Sequence, residues 1–132
     1  MQKLIWPGKI KIIPGYVFRR RNPAIVGVAV LAGKIRPGYP LARAKDLRSI
    51  GEIMQIQDQG KPIPEATKGM EVAISIRGNI MVGRQVKEGD ELFVDVPEDH
   101  IEELLSKYSD LLSEEEKEIL NQIRKLRLRL RR

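Results

Sequence analysis

Up to Val96 the chain consists of short apolar segments separated by glycine, proline and asparagine. Apolar and more polar side chains alternate through Met70–Arg77, which is typical of a strand with one buried face. Ala24–Ala32 is nearly all apolar and rich in valine, which predicts a strand buried on both faces. Similar patterns predict further strands at Lys9–Ile13, Tyr16–Phe18, Ile50–Gln57, Ile80–Val82 and Glu91–Val96, and a hairpin turn at Asp58–Lys61. Short strands at this spacing predict a closed, mostly antiparallel β-barrel from about Ile5 to Val96.

The pattern changes after Pro97, because all eight prolines and all eleven glycines lie at or before that residue. An apolar stripe at helical spacing predicts a first helix from about Pro97 to Leu112. Ser113 and Glu116 have the spacing of a capping box, which predicts the start of a second helix. The second stripe consists of Ile119, Leu120, Ile123, Leu126 and Leu130. We therefore predict a mainly β protein, with a barrel over residues 1–96 and a two-helix C-terminal extension over residues 97–132.

The positive charge of the chain is concentrated in the predicted barrel. The net charge is +6, with 24 basic and 18 acidic residues. Residues 1–96 contain 16 basic and 9 acidic residues, whereas residues 97–132 contain 8 basic and 9 acidic residues. A basic body attracts polyanions, because cations neutralise phosphates and release their counterions. A surface rich in lysine and arginine for solubility alone is the alternative interpretation.

The residue types needed for most enzyme sites are absent from the sequence. There is no cysteine, which excludes disulfides, thiolate catalysis and cysteine metal sites. The single histidine, His100, cannot form a two-histidine metal site, and we expect it at the surface. Five residues, not four, separate Gly27 from Gly33-Lys34, and Ile35 replaces the hydroxyl residue of a phosphate-binding loop. We expect no catalytic residues, metal or cofactor, and without a signal peptide or membrane-length apolar run we expect a cytoplasmic location.

Several segments match a known family in order along the chain. They read KIIPGYVFRRRNPAIVGVAVLAGKIRPG from Lys11 to Gly38, then SIGEIMQI, PEATKGMEVAISIRG, VGRQVKEGDELFV and VPEDHIEELLSKY. This pattern resembles the C-terminal domain (domain IV) of archaeal and eukaryotic translation initiation factor five-B, a relative of bacterial initiation factor two. The resemblance covers essentially the whole chain and implies a barrel of the translational GTPase type. The GTPase domain of that family is absent from this sequence, so the resemblance implies no enzyme activity here.

The resemblance implies that the barrel binds the acceptor end of aminoacylated initiator tRNA during ribosomal subunit joining. Gly27 and Val28 match a strand that lines the bacterial pocket, although a cysteine is common there in place of Val28. Glu71 and Ala73 match a second bordering strand, and Gly83 and Arg84 match a later segment. The predicted tRNA-binding residues are therefore Gly27, Val28, Lys34, Arg36, Glu71, Ala73, Gly83 and Arg84.

Each of these residues also has a purely structural interpretation. Gly27 can relieve crowding in a strand, Glu71 can be an ordinary solvent-facing residue, and Arg19–Arg21 can form a solvated turn. RNA ends are recognised through unstacked bases as well as phosphates. The candidate stacking residues in the barrel are few: Trp6, Tyr16, Phe18, Tyr39 and Phe93.

A second predicted site lies on the last helix. Leu128 falls off the apolar stripe, and arginine alternates with leucine from Arg127 to Arg132, which leaves apolar surface rimmed by positive charge. An apolar and acidic peptide suits such a surface, and the resemblance implies the C-terminal tail of initiation factor one-A. The predicted partner-binding residues are Leu120, Ile123, Arg124, Arg127 and Leu128. We expect a monomer whose partners are initiator methionyl-tRNA, the ribosome and initiation factor one-A, without a membrane. A generic basic RNA-binding barrel and a protein-interacting adaptor without RNA specificity are the alternatives.

Overall fold

The computed structural model describes residues 3–130. The outer ends of the two predicted domains, including the last two arginines of the second helix, lie outside the described residues. The strands are β1 (Gly8–Arg19), β2 (Ala24–Ile35), β3 (Pro40–Arg43), β4 (Ser49–Asp58), β5 (Lys61–Ile63), β6 (Ala66–Thr67), β7 (Glu71–Arg77) and β8 (Glu91–Val94). They are followed by α1 (Glu98–Lys107), a 3₁₀ turn (Ser109–Leu111) and α2 (Glu114–Leu130).

Six strands close into a barrel, which confirms the predicted fold class. Their order is β1-β8-β3-β4-β7-β2, and β2 pairs again with β1 to complete the ring. All of these pairings are antiparallel. The short strands β5 and β6 pair with β4 and β2 outside the ring. Closure pairs both edges of the sheet, which removes the exposed edges of an open sheet.

Three strand predictions differ from the structure. Pro14-Gly15 does not end β1; the strand continues through an irregularity between the pairs Ile12–Val28 and Val17–Val26. Ile80–Val82 is wrong as a strand, because the segment turns back and Val82 forms only an isolated bridge with Val86. The four-residue strand β3 was not predicted, since it is too short to show a period of its own.

The core fills the barrel and continues into the helices. Val26, Val28 and Val30 of β2 are at most 2% exposed, whereas Ile25 and Ala29 on the other face are half-buried. The prediction that this strand is buried on both faces is therefore only partly right. The helices add further buried side chains to the same cluster: Ile101, Leu104, Leu112, Ile119, Leu120 and Ile123.

The first helix is shorter than its apolar stripe suggested. It ends at Lys107, and Leu111 in the following 3₁₀ turn is 67% exposed. The capping box of the second helix is confirmed: Glu116 N donates to Ser113 Oγ at 3.0 Å, and Ser113 N donates to Glu116 Oε1 at 2.8 Å. Within residues 3–130, no helix is long and apolar enough to cross a membrane.

The segment Leu4–Pro7, here called the N-terminal strap, lies against both helices. The Ile5 backbone N–H donates to Nδ1 of His100 at 3.0 Å, and Trp6 Nε1 donates to Glu116 Oε2 at 2.6 Å. His100 is only 6% exposed. The expectation of a surface histidine is therefore wrong, because the strap covers the first turn of α1.

Candidate nucleic-acid interface

A groove of about 610 Å³ lies on the outer face of the barrel. We call it the aromatic groove, and its principal lining residues are Tyr16, Phe18, Gly27, Gln57, Glu71 and Ala73. The strand register brings them together: Gly27 of β2 pairs with Ala73 of β7, which pairs on its other side with Gln57 of β4. Small residues at the centre of three adjacent strands leave a depression in the sheet surface.

Gly27 also allows β1 to lie close to the groove floor. A Cβ atom at this position would lie 2.8 Å from Cβ of Tyr16, closer than such atoms approach in proteins. The relief of crowding and the lining of a groove are thus two consequences of the same missing side chain. A larger residue at position 27 would both displace Tyr16 and fill the floor.

Two exposed aromatic rings flank this floor. Tyr16 and Phe18 are 54% and 63% exposed, and their ring centroids lie 6.4 Å apart at an interplanar angle of 70°. The other aromatic candidates are engaged elsewhere: Tyr39 and Phe93 are buried in the core, and Trp6 is half-buried in the strap. The sequence indicated Tyr16 and Phe18 only as stacking candidates and not as site residues. Their i, i+2 spacing at the end of a strand that turns polar was the available signal.

The remaining residues predicted on the same strands have different surroundings. Glu71 is exposed at the groove rim, opposite Ala29 on β2. It forms no ion pair with any residue in the described part of the chain. Val28 is fully buried in the barrel, so its side chain is not available to a surface ligand.

Lys34 and Arg36 do not line the groove, and their charge is partly neutralised. Lys34 Nζ lies 3.6 Å from Glu65 Oε1, and Arg36 Nη2 lies 2.7 Å from the same oxygen. The Arg36 hydrogen bond, together with the nearby Lys34 charge, lowers the pKa of Glu65, and the same bond raises the pKa of Arg36. Lys34 Nζ also sits 4.8 Å from the centroid of the Trp6 ring. These cations therefore act first within the protein.

Gly83 and Arg84 lie at the corner where β1 turns into β2. Arg84 lines a smaller depression of about 210 Å³ together with Arg21, Asn22 and Asn79. We call Arg19–Arg21 and Arg84 the arginine corner. The structure therefore brings three predicted residues, Gly27, Glu71 and Ala73, into one groove, and it places Gly83 and Arg84 at a neighbouring site.

The predicted partner-binding residues on α2 divide into three groups. Leu120 and Ile123 are fully buried, so neither side chain can meet a partner in this conformation. Arg124 and Arg127 bind Glu98 at 2.7 and 3.3 Å, and Arg127 also binds Asp95 at 2.8 Å. Leu128 is 61% exposed, and the nearby Leu130, which belongs to the predicted apolar stripe, is 65% exposed. Among residues 3–130, no group of three or more ligating side chains could hold a metal ion.

A closed antiparallel six-stranded barrel carrying a two-helix extension is of the translational GTPase type. A family model described as Elongation factor Tu domain 4 matches residues 6–93, and the chain belongs to this family.

Individual relatives sharpen this assignment. The chain is 58% identical over 127 residues to a probable translation initiation factor IF-2 of Caldivirga maquilingensis, covering 96% of this chain and 21% of the relative. It is 56% identical, with the same coverage, to the corresponding factor of Hyperthermus butylicus. It also matches the crystal structure of GDP-bound aIF5B from Aeropyrum pernix, with a TM-score of 0.92 and 47% identity over 96% of this chain and 21% of that chain. The resemblance to initiation factor five-B is confirmed, and the chain spans about a fifth of these relatives.

Proposed function

We propose that this translation initiation factor domain binds the aminoacylated 3′ end of initiator tRNA in the aromatic groove. The observation that carries the proposal is the pair of exposed rings, Tyr16 and Phe18, beside a floor made by Gly27 and Ala73. Exposed aromatic rings on a basic body are the surface on which unstacked RNA bases are bound.

The dimensions and polarity of the groove suit an aminoacyl-adenosine end. Its volume of about 610 Å³ lies within the range of sites for small organic ligands, roughly 300–1,000 Å³. The small floor residues leave room for the flexible methionine side chain, whose sulfur is attracted to aromatic ring edges. Glu71 at the rim has an unpaired carboxylate that can accept a hydrogen bond from the positively charged α-amino group of the ester.

The test is a titration of the chain with aminoacylated and deacylated initiator tRNA. We expect tighter binding of the aminoacylated form. Phe18→Ser should weaken binding by about 5- to 150-fold, since stacking on one aromatic side chain contributes about 1–3 kcal/mol per base. Tyr108→Ser is the matched control, because Tyr108 is an exposed aromatic residue, 39% accessible, at the end of α1.

The two alternative functions give different results in the same titration. Equal affinity for both forms of tRNA, with Phe18→Ser and Tyr108→Ser alike, would indicate a generic basic RNA-binding barrel. No binding of tRNA or ribosomes at low salt would indicate a protein-interacting adaptor whose positive charge serves solubility.

A second binding function is proposed for the end of α2. Leu128 and Leu130 are both more than 60% exposed, and Arg129 between them has no carboxylate partner among the described residues. An apolar and acidic peptide could bury its apolar groups on these leucines while its carboxylates meet the arginine. The family supplies a candidate, the C-terminal tail of initiation factor one-A. Chemical-shift mapping with that peptide should perturb α2, and perturbations confined to the barrel would contradict the proposal.

A further inference from the structure

The arginine corner is built by two segments that are distant in sequence. Val82 N donates to the carbonyl oxygen of Arg20 at 3.0 Å, and Arg20 Nη1 donates to the carbonyl oxygen of Val82 at 3.1 Å. Gly83 turns the loop with a φ of +105°, and a Cβ there would lie 3.4 Å from Arg20 Nη1. This reciprocal docking holds Arg84 beside Arg21, although 62 or more residues separate the two segments.

The depression at this corner contains no carboxylate. Its lining residues are Arg21, Asn22, Asn79, Ile80, Met81, Arg84 and Gln85. The three other depressions described on the protein all include aspartate or glutamate. Neither Arg21 nor Arg84 forms an ion pair within residues 3–130. In contrast to Lys34 and Arg36, which share Glu65, these two guanidinium groups keep their full charge for a ligand.

The corner is continuous with the aromatic groove. Phe18 at the groove rim lies three residues before Arg21 on the chain, and Gly27 on the floor lies five residues after Asn22. At the rise of an extended strand, roughly 3.3 Å per residue, the second separation is about 16 Å. A few nucleotides of single-stranded RNA span such a distance.

We propose that the arginine corner binds phosphates of the single-stranded 3′ segment of the tRNA whose aminoacyl end occupies the aromatic groove. This inference rests on the proposed function. The guanidinium groups of Arg21 and Arg84 offer paired N–H donors that match phosphate oxygens, and the amides of Asn22 and Asn79 can add donors. The arrangement assigns a direction to the RNA: its aminoacyl end lies at Gly27, and the strand leaves the groove toward Asn22.

The test measures the affinity of the 132-residue chain for deacylated initiator tRNA over a range of salt concentrations. The variant is Arg21→Gln with Arg84→Gln, and the control is Lys125→Gln with Arg129→Gln, which removes the same charge from exposed positions on α2. Each phosphate contact to single-stranded nucleic acid contributes a slope of about 0.7 in a plot of log affinity against log salt. Loss of two contacts should therefore lower the slope by about 1.4, which is roughly a 25-fold loss at 0.1 M relative to 1 M salt. The control pair should keep the wild-type slope.

Two further arms distinguish phosphate binding at the corner from a general loss of positive charge and from unfolding. A tRNA trimmed of its single-stranded 3′ end should bind the wild type and the Arg21→Gln, Arg84→Gln variant equally. Arg21→Lys with Arg84→Lys should retain most of the slope, because the charge is kept, and unchanged thermal unfolding should show that all variants are folded. A slope equal to that of the control pair, or an equal loss with trimmed tRNA, overturns the proposal.

The failure of the groove and the failure of the corner give different results. If the wild type does not favour aminoacylated tRNA but the slope still falls by about 1.4, the aminoacyl site is wrong and the phosphate site stands. If aminoacylated tRNA is favoured and the slope does not change, the phosphate site is wrong alone.

Discussion

Glu116 connects the start of α2 to the N-terminal strap, and its replacement by alanine should be unusually destabilising for a partly exposed helix residue. One carboxylate oxygen accepts a hydrogen bond from Ser113 N at 2.8 Å. The other accepts one from the indole N–H of Trp6 at 2.6 Å. Glu116→Ala removes both bonds and leaves a half-buried indole donor unpaired, which carries a desolvation cost.

The magnitude follows from comparing the two bonds. A hydrogen bond to a charged group contributes about 1.5–3 kcal/mol when partly buried, and the exposed capping bond adds a few tenths. Alanine recovers a few tenths through helix propensity, so the net loss is about 2.5 kcal/mol. Ser113→Ala removes only the N-cap bond and should cost about 1 kcal/mol. For a chain of this size, 1 kcal/mol corresponds to a Tm shift of about 4 °C, which gives roughly 10 °C for Glu116→Ala.

Thermal unfolding followed by circular dichroism measures both variants. The fluorescence of Trp6, the single tryptophan, should change in Glu116→Ala and not in Ser113→Ala. Glu114→Ala is the matched control, since Glu114 is in the same turn, is 93% exposed and forms only a 3.6 Å ion pair with Lys117. It should cost no more than about 0.5 kcal/mol. A loss in Glu116→Ala no larger than in Ser113→Ala would refute the strap contact as a source of stability.

Other predictions test the surroundings of single residues. Arg43 lowers the pKa of Asp46 to about 2, mainly through its hydrogen bond, so the stabilisation is present above about pH 4 and is lost as the pH falls through 2. The difference in Tm between wild type and Asp46→Asn should shrink over that interval, and a constant difference would contradict it. Ile123→Ala, at a fully buried position, should cost about 2–5 kcal/mol. Leu128→Ala should cost under about 0.5 kcal/mol in a denaturant titration. Leu128→Asp should weaken binding of the initiation factor one-A tail in calorimetry while tRNA binding is retained. Gly33→Ala should destabilise the barrel, because its φ is +66° and a Cβ would lie 2.0 Å from the carbonyl oxygen of Pro7.

Local patterns along the chain predicted much of the fold. The alternation in Met70–Arg77 identified β7, and the Ser113–Glu116 spacing located the start of α2. The displaced position of Leu128 on the helix predicted its exposure. These features depend on residues within a few positions of each other, so the chain specifies them before any distant contact forms. Gly27 and Ala73 were assigned through family resemblance, and the register of two neighbouring strands brings them to one groove.

Contacts between distant residues decided the rest. His100 is buried because a strap 95 residues away donates a hydrogen bond to it, and the charges of Lys34 and Arg36 are partly neutralised by Glu65. Leu120 and Ile123 are core residues because α2 packs on the barrel. The arginine corner exists only because the loop containing Gly83 docks on Arg20. None of these has a period or a motif in the sequence, since each depends on where barrel closure and helix docking place residues that are far apart in the chain.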